Sequence, residues 1–279
     1  MVTAASSDTP TKQLTIETAI ANLRHGETGD RYYAAWWLGK FRVKDPRGID
    51  ALLAALEDDR DRTPNGGYPL RRNGARALGK LGEARVIPAL VKCLHCEDFY
   101  VRETAAQALG ELAEDLDPTE FTAAIPELLK LLEGGLATAQ PIPDCPHLAQ
   151  PYNAVIETLG TLGVKEAVPQ IEPFLEHPFE LEQYGAARAL YQLTRERKYG
   201  DRLVAALKGD KLQLRRAVLS DLGAIGYLPA AEAIAETLAE NSLKLISLKG
   251  LLEHQLKTMN GATLSPETTH LMQLMDSLL

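Results

Sequence analysis

The chain has 279 residues, 45% of them hydrophobic but only 6% aromatic, and 38 acidic against 30 basic side chains leave a formal charge of −8. That balance supplies no basic field to gather nucleic acid or anionic lipid, and no stretch approaches the roughly 18 apolar residues of a membrane span. With so few aromatics, small side chains must fill the interior, which suits closely packed helices in an elongated repeat domain better than an ordinary globular centre.

Residues 1–13 lack the basic flank and apolar run of a secretory signal and read as a disordered N-terminus, leaving 14–279 as a single repeat domain. Ile16, Ile20 and Leu23 recur at helical spacing and predict a helix that caps the first repeat. Leu-Gly pairs then recur at Leu38-Gly39, Leu78-Gly79, Leu109-Gly110, Leu159-Gly160 and Leu222-Gly223, with Leu190-Tyr191 as a degenerate member. The Leu-to-Leu steps are 40, 31, 50, 31 and 32 residues, a period near 31 with two insertions. Each unit carries an apolar helical face, as in Val101, Ala105, Ala108, Leu109 and Leu112. A turn marked by the Leu-Gly signature comes next, then a second helix often opened by proline: Pro88, Pro126 and Pro169. Such a unit cannot bury its apolar stripe alone, so about six must stack with capping helices into an all-α, HEAT-like solenoid with a long concave surface. Ser265-Pro266-Glu267 opens a last helix bearing Leu271, Leu274, Met275 and Leu278, a second cap.

The insertions fall at 59–70, with the turn chemistry of Pro64-Asn65-Gly66-Gly67, and at 133–150, rich in Gly and Pro; both read as loops. Long loops projecting from a solenoid are where binding is usually found.

Aligning the units on their Leu exposes columns. Seven residues earlier stand Arg31, Arg71, Arg102, Tyr152, Gln183 and Arg215. They form either an inter-repeat ladder in which each guanidinium caps or bridges to an acidic neighbour, or an anion-binding stripe. Beside it runs a polar column: Arg72, Arg76 and Lys80, then Glu103, Gln107 and Glu111, then Asn153, Glu157 and Thr161. In the first unit that column holds Tyr32, Trp36 and Lys40, whereas Trp37 shares the core stripe with Ala34, Leu38 and Phe41. Tyr32 and Trp36 either pack beneath the N-terminal helix or form a platform for a flat ligand or a partner helix. Next to them lie Arg71, Arg72 and Arg76, a cationic patch in an acidic protein, which suits a planar molecule carrying carboxylates.

Other signals carry less. Cys93-Leu94-His95-Cys96 resembles half a zinc site without a second pair at ligand spacing. Asp144-Cys145-Pro146-His147 is a loop that either touches a ligand or has no role. Three cysteines, few and odd in number, fit a reducing, cytoplasmic setting. There is no phosphate-binding Gly loop, HExxH or GxSxG, so nucleotide chemistry and triad hydrolysis find no support.

Two segments, Arg31 to Val43 (RYYAAWWLGKFRV) and Tyr68 to Gly82 (YPLRRNGARALGKLG), closely resemble the phycocyanobilin lyase alpha-subunit family, and the likeness covers nearly the whole chain. The resemblance implies a cyanobacterial or red-algal enzyme, a 1:1 heterodimer with a HEAT-like beta subunit. It attaches the open-chain tetrapyrrole phycocyanobilin through a thioether to a cysteine of apo-phycocyanin alpha. The bilin is then substrate, and no cofactor is expected. Two propionates, a planar conjugated system and a row of pyrrole nitrogens call for guanidinium groups, flat side chains and an acid. The bilin-binding set is expected to be Tyr32, Tyr33, Trp36, Arg71, Arg72, Asn73, Arg76 and Arg102, with Glu103 as candidate acid. Two alternatives stand beside this: the paralogous phycoerythrocyanin lyase-isomerase subunit, and a non-catalytic scaffold or chaperone for phycobiliprotein subunits. The aromatic pair also has the alternative of lying in the heterodimer interface.

Overall fold

A computed structural model describes residues 14–140, 142, 147–258 and 264–279; the expected disordered N-terminus and Cys145 lie outside the described residues. In chain order the helices are α1 (Ile16–His25), α2 (Thr28–Lys40), α3 (Pro46–Ala55), α4 (Pro69–Leu81), α5 (Ile87–Cys93), α6 (Phe99–Ala113), α7 (Ala124–Leu131) and α8 (Gly135–Thr138). After these come α9 (Tyr152–Thr161), α10 (Val168–Ile171), α11 (Glu180–Thr194), α12 (Arg197–Ala206), α13 (Leu212–Ile225), α14 (Ala231–Glu236), α15 (Asn241–Thr258) and α16 (Pro266–Asp276). Helices α2, α4, α6, α9, α11, α13 and α15 pack side by side in one row, and the others cover its back. The back helices touch one another far less, so the stack curves toward the tight row, as a HEAT-like solenoid does. No helix among the described residues is long and apolar enough to cross a membrane.

The Leu-Gly pairs explain the tight row, though not as turns. Each lies within its helix, with Leu38, Leu78, Leu109, Leu159 and Leu222 all fully buried. The glycine beside each leucine faces the next helix of the row at van der Waals limit. A Cβ on Gly39 would stand 2.7 Å from the Cα of Ala77, one on Gly79 2.9 Å from that of Ala108, and one on Gly160 2.8 Å from that of Ala189. At Gly223 the neighbour is the Cα of Ser247, at 2.9 Å. The pair therefore reads as "core anchor, backbone contact", and the residue met is itself small. The turns use other glycines: Gly82, Gly163 and Gly226 adopt φ of 67°, 71° and 63°, where a side chain is strained.

Both caps form as expected, with Ala19, Ile20 and Leu23 of α1 buried and Leu271 of α16 buried. Helix α15 is a seventh member of the row that the Leu-Gly pattern does not reveal, because Leu248-Lys249 occupies the register of the pair. Proline opens the back helices at Pro88 and Pro169, and Pro173 then turns α10 into a 3-10 segment, Glu172–Glu176.

The arginine column is a carbonyl ladder. Arg31 Nε donates to Leu23 O at 3.1 Å, and its Nη2 pairs with Asp58 at 2.6 Å while the side chain is almost fully buried. Arg71 Nε donates to Asp58 O at 2.9 Å, and Arg102 donates through Nη1 to Cys96 O and Glu97 O at 2.8 and 3.1 Å. Gln183 Nε2 reaches His177 O at 2.7 Å, and Arg215 Nε reaches Leu238 O at 3.1 Å. Each side chain satisfies carbonyls exposed near the end of a back helix or in the connection after it. Of the two accounts open for this column, the ladder is the one realised.

Because Gly79 meets backbone, Gly79→Val must force α4 and α6 apart. Overpacking of this kind costs about 2 kcal/mol, so urea denaturation is expected to show a lower midpoint with an unchanged slope. Wild-type stability in that variant counts against the close-approach account.

Candidate functional site

The two insertions meet over the first turns of α4 and α6 and enclose a cleft of about 1180 Å3. The first insertion folds on itself at Thr63, whose Oγ1 accepts from Gly67 N at 2.8 Å, with Gly66 at φ 82°. Two adjacent acids then fasten it to the third unit. Asp98 caps α6 by accepting from Tyr100 N at 2.8 Å through Oδ1, while its Oδ2 accepts from Tyr68 N at 2.7 Å. Glu97 Oε1 accepts from the Tyr68 hydroxyl at 2.6 Å and from Arg62 at 3.0 Å. Pro69 already begins α4, so the loop is two residues shorter than its sequence suggests.

The second insertion is not loop throughout, since Gly135–Thr138 forms one helical turn, α8. Arg102 Nη2 holds it by donating to Ala149 O at 2.8 Å, and the buried His177 does so through Nε2 to Ala139 O at 2.8 Å. With Nδ1 of His177 accepting from Phe179 N at 3.0 Å, the ring is the neutral Nε2–H tautomer. His147 stacks flat on Phe99 at 4.0 Å between centroids, and Tyr100 meets the same ring edge-on at 5.6 Å.

Among the expected ligand-binding residues, Tyr32, Arg72, Asn73, Arg76 and Arg102 line the cleft. Tyr33, Trp36, Arg71 and Glu103 do not. Tyr33 and Trp36 stack on each other at 5.4 Å and are about half exposed, so they lie neither under α1 nor in the cleft wall. Trp37 is half-buried against the core and tilts over Phe41 at 5.2 Å. Arg71 stacks its guanidinium over Tyr68 at 4.0 Å and serves the carbonyl ladder. Arg102 is also held in the ladder, and burial lowers its pKa.

The remaining cationic side chains differ. Among the described residues, no side-chain hydrogen bond or ion pair engages Arg72, Asn73 or Arg76. The Nε of Arg72 is buried without a partner, and its guanidinium lies over Tyr100 at 5.0 Å. A buried donor left unmade costs free energy, and here the ring contact with Tyr100 holds the side chain instead. Glu103 is half-buried behind the lining; desolvation raises its pKa, with Arg72, Arg76 and His147 pulling it back.

Sequence reasoning missed Tyr68, Phe99, Tyr100 and Arg62 in the lining. Phe99 and Tyr100 stand ten and nine residues before Leu109, outside the columns compared, yet two adjacent aromatics on the first turn after an Asp cap were a usable signal. His147 was visible in its loop, but its stacking on Phe99 was not. The CLHC segment offers little to a metal: Cys93 is buried, desolvation pushing its thiol up to about 12, and among the described residues no group of three or more His, Cys, Asp and Glu side chains could hold an ion.

Farther along the row, acids are buried together. Arg188 bridges Glu157 and Asp221 at 3.4 and 3.1 Å, and desolvation raises Asp221. Glu182 is nine-tenths buried with Oε2 unpaired; desolvation first, then Glu157 and Glu103, raise it to about 7.

The family profile described as HEAT repeats matches residues 16–110 and 65–136. A protein of Nostoc sp. named phycocyanobilin lyase subunit alpha is 58% identical over 268 residues, covering 96% of this chain and 95% of that one. The bilin biosynthesis protein PecE of Nostoc sp. is 45% identical over 244 residues, covering 87% and 88%. Among solved structures, the complex of CpcE and CpcF of phycocyanin lyase from Nostoc sp. matches with a TM-score of 0.87 and 56% identity, over 99% of this chain and 100% of that one.

Two variants probe the site's architecture. Asp98→Ala removes a helix cap and the Tyr68 anchor together, which costs about 1–2 kcal/mol, and limited proteolysis should then cut within 59–68. Glu182 holds its proton more tightly folded than unfolded, so stability is full below its ordinary pKa near 4.5 and declines as pH rises toward 7. Glu182→Gln is therefore expected to stabilise by about 2 kcal/mol at pH 8 and hardly at all at pH 4, as read from urea midpoints.

Proposed function

The chain belongs to the phycocyanobilin lyase alpha-subunit family, and from that membership and the cleft we propose that it attaches phycocyanobilin to a cysteine of apo-phycocyanin alpha, together with a beta subunit. One observation carries the cleft's part in this: among the described residues Arg72 and Arg76 are without ion-pair partners there, in a chain of net charge −8. Guanidinium pairs of this kind bind carboxylates, and the bilin brings two propionates. Phe99, Tyr100 and His147 provide flat surfaces for the conjugated rings. A cleft of about 1180 Å3 accommodates a ligand at or beyond the upper end of the usual small-molecule range of roughly 300–1,000 Å3.

The chemistry asks for modest help. A thiol adds to the ethylidene of ring A, the sulfur bonding to the outer carbon while electrons move into the conjugated system of the tetrapyrrole; a proton then settles on the ring carbon. Holding the bilin and placing the acceptor cysteine against it supplies most of the advantage. Phycocyanobilin is substrate here, with no resident cofactor in the reading. The free thiols of Cys93 and Cys96 agree with a reducing, cytoplasmic setting. The exposed Tyr33–Trp36 stack, outside the lining, suits a contact with the beta subunit.

Co-expression of the chain with its partner subunit, bilin and apo-phycocyanin alpha tests the assignment through a zinc-fluorescent covalent band on denaturing gels. Arg72→Ala with Arg76→Ala should cut bilin retention by about 10-fold or more without unfolding the chain, since neither side chain bonds to any of the described residues. Trp36→Ala should weaken capture of the beta subunit more than bilin retention. A band that forms equally well without this chain sinks the lyase assignment. An isomerised absorption spectrum in the product turns it toward the PecE-type relative.

A further inference from the structure

We propose that Tyr32 and Asp61 form a proton relay on the cleft wall that takes the proton from the incoming cysteine thiol and returns it to the bilin. The proposal rests on the bilin occupying the cleft. Tyr32 lines the cavity from α2, and its hydroxyl donates to Asp61 Oδ2 at 2.7 Å. Asp61 belongs to the first insertion, and the same Oδ2 accepts from Leu70 N at 2.7 Å, at the N-terminus of α4. That backbone bond fixes the carboxylate independently of the tyrosine.

Two features distinguish this pair from the surrounding clasps. The other oxygen, Oδ1 of Asp61, is buried without a hydrogen-bond partner among the described residues, which leaves a lone pair in reserve inside the wall. By contrast, Asp58 spends both oxygens on arginine, and Asp98 spends both on backbone N–H groups. The direction of the Tyr32 bond matters too. A phenol that donates its proton inward presents its oxygen lone pair to the cleft as an acceptor. Burial and the Asp61 bond push the phenol up to about 12, so it stays protonated until a neighbour exchanges protons with it.

The step balances. The cysteine S–H proton passes to the Tyr32 oxygen as the phenol proton passes to Asp61, leaving a thiolate. Sulfur bonds to the outer ethylidene carbon, and the π electrons shift through the ring carbon into the conjugated system of the tetrapyrrole. The proton on Asp61 then returns through Tyr32 to the ring carbon. One S–H and one C=C are consumed and one C–S and one C–H are formed, with no redox partner. Asp61 acts through Tyr32 and is a positioning and proton-holding residue.

The test uses the heterodimer with bilin and apo-phycocyanin alpha. Tyr32→Phe keeps the ring but has no exchangeable proton. Asp61→Asn keeps an acceptor for both Leu70 N and Tyr32 yet cannot hold the proton. Each is expected to slow thioether formation by about 10-fold or more, with bilin retention and melting temperature close to wild type. The deficit should shrink between roughly pH 7 and pH 9, where a free thiol ionises unaided. Wild-type rates in either variant overturn the relay, as does a slowed variant whose deficit does not change with pH. Loss of retention on Arg72→Ala belongs to the cleft assignment instead, so failure of the relay and failure of the site read out separately.

Discussion

The close approach of neighbouring helices at the glycine of each Leu-Gly pair is the constraint on which the rest depends. A backbone-to-backbone contact fixes the spacing of the tight row in a way that side-chain packing alone does not, since side chains re-pack and backbones cannot. Gly110 shows the same rule with a polar partner: it faces Thr158, whose hydroxyl donates to Ala106 O at 2.8 Å across the helix boundary. With α2, α4 and α6 held at this spacing, Tyr32, Arg72 and Glu103, which share one column, become lateral neighbours. The site inherits its geometry from glycines that never touch it.

A second layer of order comes from the residues that close helix ends. Arg31, Arg71, Arg102, Gln183 and Arg215 each answer carbonyls left over by the back row or its connections. In the first three units that duty extends to the loops. Arg31 grips Asp58 at the root of the first insertion, and Arg102 grips Ala149 in the second. The cleft is thus framed by the same column that builds the solenoid, and its walls are anchored insertions.

The fold was legible because it is periodic. Small and apolar residues at helical spacing, repeated near every 31 residues, leave little else for the chain to do. Helix α15 escaped because Lys249 stands where glycine marks the other units, and it packs through Ser247 and Leu248. The site was legible in part. Arg72 and Arg76 stand out as a cationic cluster in an acidic chain beside Tyr32, and the insertions marked where the cleft lies. Trp36 stands outside the cleft for a physical reason: residues four apart share a helix face, but only Tyr32, nearer the helix N-terminus, reaches the insertion. Phe99, Tyr100 and His147 depend on a contact between segments almost fifty residues apart, and no local pattern encodes that.

The charge available to a ligand is set by a competition at Glu103. Its carboxylate is the natural partner for Arg72 and Arg76, and full ionisation there would cancel much of their field. Burial opposes that ionisation, raising Glu103 while the two arginines and His147 draw it down. Glu103 stands outside the lining, so it tempers the field of the two arginines without taking a place in the cleft wall.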